Sequence, residues 1–162
     1  MVINEALIWN LLTEVPDPEV PAINVVELGV VRSVEIKQEA VCITITPTYT
    51  GCPAMKTIEQ DIIQRLKEAQ IIDIEIKTIL TPAWTTDWIK EEAREKLRVY
   101  GIAPPEHSSA DKNSILGKTK TINCPLCGSR DTIMQSQFGS TACKALYKCK
   151  SCLEPFDYFK CI

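Results

Sequence analysis

The sequence predicts an α+β protein, a small α-β-β-α-β-α sandwich followed by a C-terminal zinc ribbon. Three observations carry that expectation. Between residues 4 and 101 the apolar period switches between a helical repeat of ~3.6 and a strand repeat of ~2. Residues 103 to 120 have no apolar period at all. Beyond them four cysteines fall in two Cys-x-x-Cys pairs with 21 residues between the pairs. The expected boundaries are 1–102 for the α+β domain, 103–120 for a linker and 121–162 for the ribbon.

Residues 4 to 13 read as an amphipathic helix. Asn4 is placed to cap it, and Leu7, Ile8, Leu11 and Leu12 turn inward. Val15-Pro16-Asp17-Pro18-Glu19-Val20-Pro21 follows. Prolines at that density forbid a continuous helix or a central strand, so this is an ordered loop carrying two carboxylates. A first strand is expected from about Val30 to Lys37, a turn at Gln38-Glu39-Ala40 and a second strand from Val41 to Thr46. In the second strand Val41, Ile43 and Ile45 share one face, and Cys42, Thr44 and Thr46 the other.

The next helix puts Met55, Ile58, Ile62 and Leu66 on one stripe and extends to about Ala69. Ile72, Ile74 and Ile76 then alternate with Asp73, Glu75 and Lys77, the mark of a strand with one wet face. Thr81-Pro82-Ala83-Trp84-Thr85-Thr86 breaks that strand. A hydroxyl of Thr85 or Thr86 is placed to cap the last helix, which ends near Gly101. In the ribbon, Thr132 to Phe138 reads as a strand, Gly139-Ser140 as a turn and Leu146 to Lys148 as a returning strand.

Composition narrows the function classes. No apolar run approaches the ~20 residues that span a bilayer, and Met1 to Leu12 lacks the basic start of a signal peptide. The expected compartment is the cytoplasm, where eight cysteines are read as metal ligands or reactive thiols rather than disulfides. Net charge is −6 over residues 1–102, +1 over 103–120 and +2 over 121–162. Neither end has the basic footprint of a phosphate-tracking surface, so no nucleic-acid partner is expected.

Cys124, Cys127, Cys149 and Cys152 have the spacing that closes a tetrahedron of thiolates around Zn²⁺. The expected role is structural. A module of ~40 residues cannot build a sufficient core without a staple. A closed four-thiolate site also has no open position for a substrate. An iron–sulfur centre is the other cargo that four thiolates take.

Cys52 stands apart, in Pro47-Thr48-Tyr49-Thr50-Gly51-Cys52-Pro53-Ala54-Met55, where strand turns into helix. Pro53 suits the first helical position, which puts Cys52 at or beside the N-cap. The free N–H groups and the positive end of the dipole favour a thiolate there, hence a nucleophile or a soft-metal ligand. Gly51 adds backbone that a ligand can approach closely. The competing reading is a small buried hydrophobe. For Cys143 and Cys161 two readings stay open: packing, or a share with Cys52 in a second, labile metal site. Cys42, between Val41 and Ile43, reads as structural. His107, the one histidine, falls in the linker and is assigned no role.

Asp17-Pro18-Glu19-Val20-Pro21, Glu27-Leu28-Gly29-Val30-Val31 and Thr48-Tyr49-Thr50-Gly51-Cys52-Pro53 together resemble the iron–sulfur cluster assembly domain family, which includes SufT-type maturation factors. The ribbon, with Cys-Pro-x-Cys-Gly, Gly-Ser-Thr-Ala-Cys-Lys-Ala-Leu-Tyr and Glu154-Pro155-Phe156-Asp157-Tyr158-Phe159-Lys160-Cys161, is similar to that of its ribbon-bearing members, accessory subunits of the phenylacetyl-CoA epoxidase (ring 1,2-epoxidase) system. The resemblance implies a non-catalytic factor that delivers or inserts iron or iron–sulfur centres into that multicomponent monooxygenase. Its clients would be the reductase or oxygenase subunits. The family's functional cysteine maps onto Cys52, next to Thr50 and Gly51, and its acidic loop onto Asp17 and Glu19. For these two carboxylates the alternative is a turn held by Asp side-chain bonding. The cofactors implied are a structural Zn²⁺ and a transient cluster or iron, which Cys52 could share across a homodimer.

Two other classes compete. A thiol enzyme would use Cys52 as nucleophile but lacks an obvious base. An adaptor would use the ribbon as a protein-binding surface, with Phe156, Tyr158 and Phe159 either docking a partner or covering the ribbon's small core.

Overall fold

In the computed structural model, which describes residues 2–38, 40–106 and 121–160, the chain divides into two compact units, Met1–Trp84 and Thr85–Ile162. In the first, helix α1 (Glu5–Leu12) starts where Asn4 Oδ1 accepts the Leu7 N–H at 2.8 Å. It buries Ile8, Leu11 and Leu12. The proline-rich segment is an ordered loop. Pro16 and Asn24 form an isolated antiparallel bridge. Asn24 Oδ1 accepts the Val26 and Glu27 N–H groups, and Glu27 Oε2 accepts the Asn24 N–H in return. This reciprocal box satisfies backbone donors that burial would otherwise leave orphaned.

Strands β1 (Val31–Lys37) and β2 (Ala40–Ile45) pair antiparallel, with an irregularity between Val31 and Ser33. Strand β3 (Ile74–Thr78) lies parallel to β2 on its other side. Parallel neighbours need a crossover, and helix α2 (Ala54–Glu68) supplies it. Val41, Ile43 and Ile45 are fully buried, as are Ile62 and Leu66 of α2, with Ile58 nearly so. Each such side chain contributes about 1.5–3 kcal/mol relative to exposure. Ala54 rather than Met55 completes the buried stripe of α2. Trp84 closes the unit, its indole N–H donating to the Leu28 carbonyl at 3.0 Å.

The second unit begins with a 3₁₀ turn, Thr86–Trp88, capped by Thr85 Oγ1, which accepts the Asp87 N–H at 3.2 Å. Helix α3 (Glu91–Tyr100) follows from Lys90 without a side-chain cap and ends at Gly101, with φ +95°. The expected capping of this helix by Thr85 or Thr86 is therefore corrected. A cap serves only the residues directly after it, and the 3₁₀ turn intervenes. Strand β4 (Ile102–Ala103) pairs parallel with β7 (Pro155–Phe159), in a sheet ordered β4-β7-β6-β5 with β5 at Thr132–Ser136 and β6 at Lys144–Cys149.

Two consequences differ from the sequence expectation. Helix α3 and residues 102–103 group with the ribbon, so the division between units falls at Trp84/Thr85, ahead of the expected linker. A two-residue strand leaves no period for a sequence to show, and its partner β7 lies about fifty residues further on. The aromatic tail is the second. Phe156, Tyr158 and Phe159 sit on β7 and are buried, so they build the ribbon core rather than a docking patch. Tyr147 stacks on Phe156 at 5.9 Å between centroids and meets Tyr158 edge-on at 5.8 Å. The rest of the expected linker from 107 onward, with His107, lies outside the described residues.

Candidate metal centres

The two Cys-x-x-Cys knuckles are built on one plan. In each, the first cysteine's N–H donates to the carbonyl five residues on, Cys124 to Ser129 at 2.9 Å and Cys149 to Glu154 at 3.0 Å. In each, the fourth residue after that cysteine has positive φ, Gly128 at +76° and Leu153 at +67°. Such turns aim both sulfurs of a pair, and the N–H groups around them, at one point.

That point is shared. Cys124 and Cys152 sulfurs are 3.8 Å apart, Cys127 and Cys149 sulfurs 3.5 Å, and all four lie within 4.8 Å of one another. Metal–sulfur bonds of about 2.3 Å in a tetrahedron give an edge of about 3.8 Å, so the spacing suits one ion. The electrostatics agree. The Cys152 backbone N–H, with that of Ser151, pulls the Cys149 thiol down to about 6. The Glu154 N–H pulls Cys152 the same way, but burial and the three neighbouring sulfurs push it up to about 12. Cys127 is also raised, despite the Ser129 N–H, because Cys149 stands against it. Four thiolates this close repel one another, and a cation is what lets all four stay deprotonated.

Leucine at position 153 is costly. It holds the left-handed conformation that its counterpart Gly128 holds freely, and its side chain is 67% exposed. Replacing Leu153 by glycine is expected to stabilise the ribbon by about 1 kcal/mol, read as a raised midpoint in chemical denaturation of the metal-loaded chain. No gain, or a loss, would show that the leucine makes a contact that offsets the strain.

Cys52 sits at the mouth of α2. Pro53 is the N-cap, with φ −68° and ψ −23°, and Ala54 the first helical residue, so Cys52 lies one position outside the cap. Pro53 is thus corrected from the first helical position to the cap, as the helix starts one residue later than expected. The Cys52 N–H donates to the Tyr49 carbonyl, its carbonyl accepts from Met55, and Thr48 Oγ1 stands 3.9 Å from the sulfur. The residue is half-buried, so the sulfur is not sealed in the core. Gly51 has φ +80°, and a Cβ placed there would meet nothing within 4 Å, so the approach is open beside an exposed Thr50. The hydroxyl at the sulfur is no general base, which leaves the thiol-enzyme reading without its second group.

The remaining candidates separate. Asp17 is buried, and its Oδ1 accepts the Glu19 and Val20 N–H groups at 2.9 and 2.7 Å. It therefore holds the loop as an Asx turn, with half-buried Glu19 at its second position. Cys143 is buried with Thr141 Oγ1 3.1 Å from its sulfur, as packing predicts. Cys42 donates to Glu75 Oε2 at 3.4 Å. Partial burial and that carboxylate raise its thiol pKa, which makes it a poor nucleophile. Cys161 lies outside the described residues. Among the described residues, the ribbon cysteines are the one group of three or more Cys, His, Asp or Glu poised around a point. Cys52 has no such company. Ser129 and Ser151, whose N–H groups reach the sulfurs, were not legible as site residues, since the donors are backbone and any residue type supplies them.

A cavity of about 480 Å³ adjoins the first knuckle. Arg94, Arg98, Glu91 and Glu106 give its wall both signs of charge, with Pro105 and Leu126 as apolar lining.

An α-β-β-α-β unit with a single cysteine leading its second helix, then a four-cysteine ribbon, defines an iron–sulfur assembly-type domain joined to a metal-binding ribbon. The family model described as iron–sulfur cluster assembly protein matches residues 5–77, and that of the PaaD zinc beta ribbon domain matches residues 108–160. A protein of Escherichia coli (strain K12), named for the 1,2-phenylacetyl-CoA epoxidase of which it is a subunit, is 46% identical over 155 residues, covering 96% of this chain and 92% of that one. The chain belongs to the PaaD family. The Fe-S protein maturation auxiliary factor SufT of Staphylococcus aureus (strain USA300) is 36% identical over 85 residues, 51% of this chain and 96% of SufT. Among solved structures, a DUF59 domain of unknown function from Bacillus anthracis superposes with a TM-score of 0.53 at 28% identity, over 57% of this chain and 90% of its own.

Proposed function

We propose that this chain is a non-catalytic maturation factor for a phenylacetyl-CoA epoxidase system, delivering iron or an iron–sulfur cluster to a reductase or oxygenase subunit through Cys52. The observation that carries the reading is the contrast between its two kinds of thiol. Four cysteines stand ready to enclose one ion, whereas Cys52 is half-buried at an open helix mouth with no companion ligand gathered around it. A complete thiolate cage retains its ion, and the natural occupant of this one is a structural Zn²⁺. A single sulfur holds cargo only with ligands lent by a second copy or by the client, and it gives the cargo up when that partner binds better. Membership of the PaaD family and similarity to SufT over the first unit support the same role.

The test is elemental analysis of the full chain purified without air. One zinc per chain is expected, with substoichiometric iron and sulfide that fall to background in Cys52→Ser. Iron and sulfide at background in the unaltered chain, or equal in both, would overturn the carrier role of Cys52. No helix of the described residues is long and apolar enough to cross a membrane. We place this chemistry in the cytoplasm, where reduced thiols persist.

A further inference from the structure

The two knuckles come from segments more than twenty residues apart in sequence, and each must be held so that its sulfurs meet those of the other. A polar contact joins them on the exposed side of the site. Ser129 Oγ and Ser151 Oγ lie 2.7 Å apart, one following the first knuckle and the other inside the second. Ser129 Oγ also accepts the Asp131 N–H at 3.1 Å, and the Lys150 N–H donates to the Asp131 carbonyl at 2.8 Å. Lys150 Nζ adds an ion pair with Asp131 at 3.6 Å, which at this exposure contributes little.

These serines are also the residues whose backbone N–H groups reach the sulfurs. The Ser129 N–H is hydrogen-bonded to Cys127 and the Ser151 N–H to Cys149. Cys127 and Cys149 face each other across the knuckles at 3.5 Å. The hydroxyl bond therefore ties together the two N–H···S donors that flank one edge of the tetrahedron. We propose that the Ser129–Ser151 hydroxyl pair is a positioning element that holds the Cys127–Cys149 edge at metal-binding distance before the ion arrives. The inference rests on the ribbon cysteines binding one metal ion. Neither serine touches the ion. Each orients a ligand through its backbone, and outer partners of this kind typically set 10- to 100-fold of metal affinity.

The test uses the full chain, stripped of metal and titrated with Co²⁺ against a competing chelator. Co²⁺ in four thiolates reports its geometry through its visible ligand-field bands. Ser129→Ala and Ser151→Ala are each expected to weaken Co²⁺ binding about tenfold and to shift those bands. The double variant should lose no more than either single one, because the two hydroxyls act as one bond. Ser129→Thr, which keeps the hydroxyl, should restore both affinity and spectrum. A merely structural loss would lower stability without moving the bands of the bound ion. Single variants within twofold of the unaltered chain, unchanged bands, or additive losses in the double variant overturn the positioning role while leaving the metal site standing. Absence of a four-thiolate Co²⁺ spectrum in the unaltered chain overturns the metal reading and the positioning role together.

Discussion

Cys52→Ser will abolish maturation of the epoxidase in cells while leaving the chain folded and its ribbon metal in place. Serine is nearly isosteric with cysteine, Cys52 lies outside the helical hydrogen bonds of α2, and Thr48 Oγ1 stays available to a hydroxyl at that position. The stability change should therefore stay within about 1 kcal/mol. The chemical change is total, since a serine hydroxyl is neither a soft ligand nor deprotonated at neutral pH. The measurement is epoxidase activity of cells carrying the variant, with iron content of the reductase and oxygenase subunits and zinc content of the variant chain. Undiminished epoxidase activity and client iron would refute the assignment of Cys52.

Cys124→Ser has the largest structural effect expected in the chain. Cys124 is buried in the ribbon core with Tyr147, Cys149, Phe156 and Tyr158. Removing its sulfur leaves three thiolates and opens the cage. Structural zinc sites contribute ~10–16 kcal/mol of apparent binding energy in small modules, far more than a ribbon of this size stores in its own packing. The expected result is loss of one metal ion per chain together with the dispersed NMR signals of β5, β6 and β7. Resonances of the first unit should persist if Met1–Trp84 holds its own core, as its buried aliphatic side chains imply. Full metal content in this variant would refute the ligand assignment.

The elements with strong periods were legible in the chain itself. The buried alternation of Val41, Ile43 and Ile45 and the stripe of Ile58, Ile62 and Leu66 appear where their spacing put them. Asn4 caps α1 as its position demanded. Elements set by distant partners were not legible. Ile102–Ala103 is a strand only because β7 offers it a ladder, and Pro155–Phe159 is a strand only because β4 and β6 flank it. The capping of α3 was misread because the 3₁₀ turn that intercepts Thr85 has no signature of its own.

The four-cysteine site was determined by sequence alone, because ligand type and spacing dictate its chemistry wherever the two pairs meet. So was the singular character of Cys52 at the entrance of a helix, since a strand period and a helix period meet on either side of it. Only the tertiary structure decided that Asp17 spends its carboxylate on the backbone, that Cys143 is enclosed and that the aromatic tail is core. It alone brought two ordinary serines from separate knuckles into contact behind the sulfurs. The physical reason is range. Spacing along the chain sets which chemistry a residue can perform, whereas accessibility and partnership depend on residues tens of positions away.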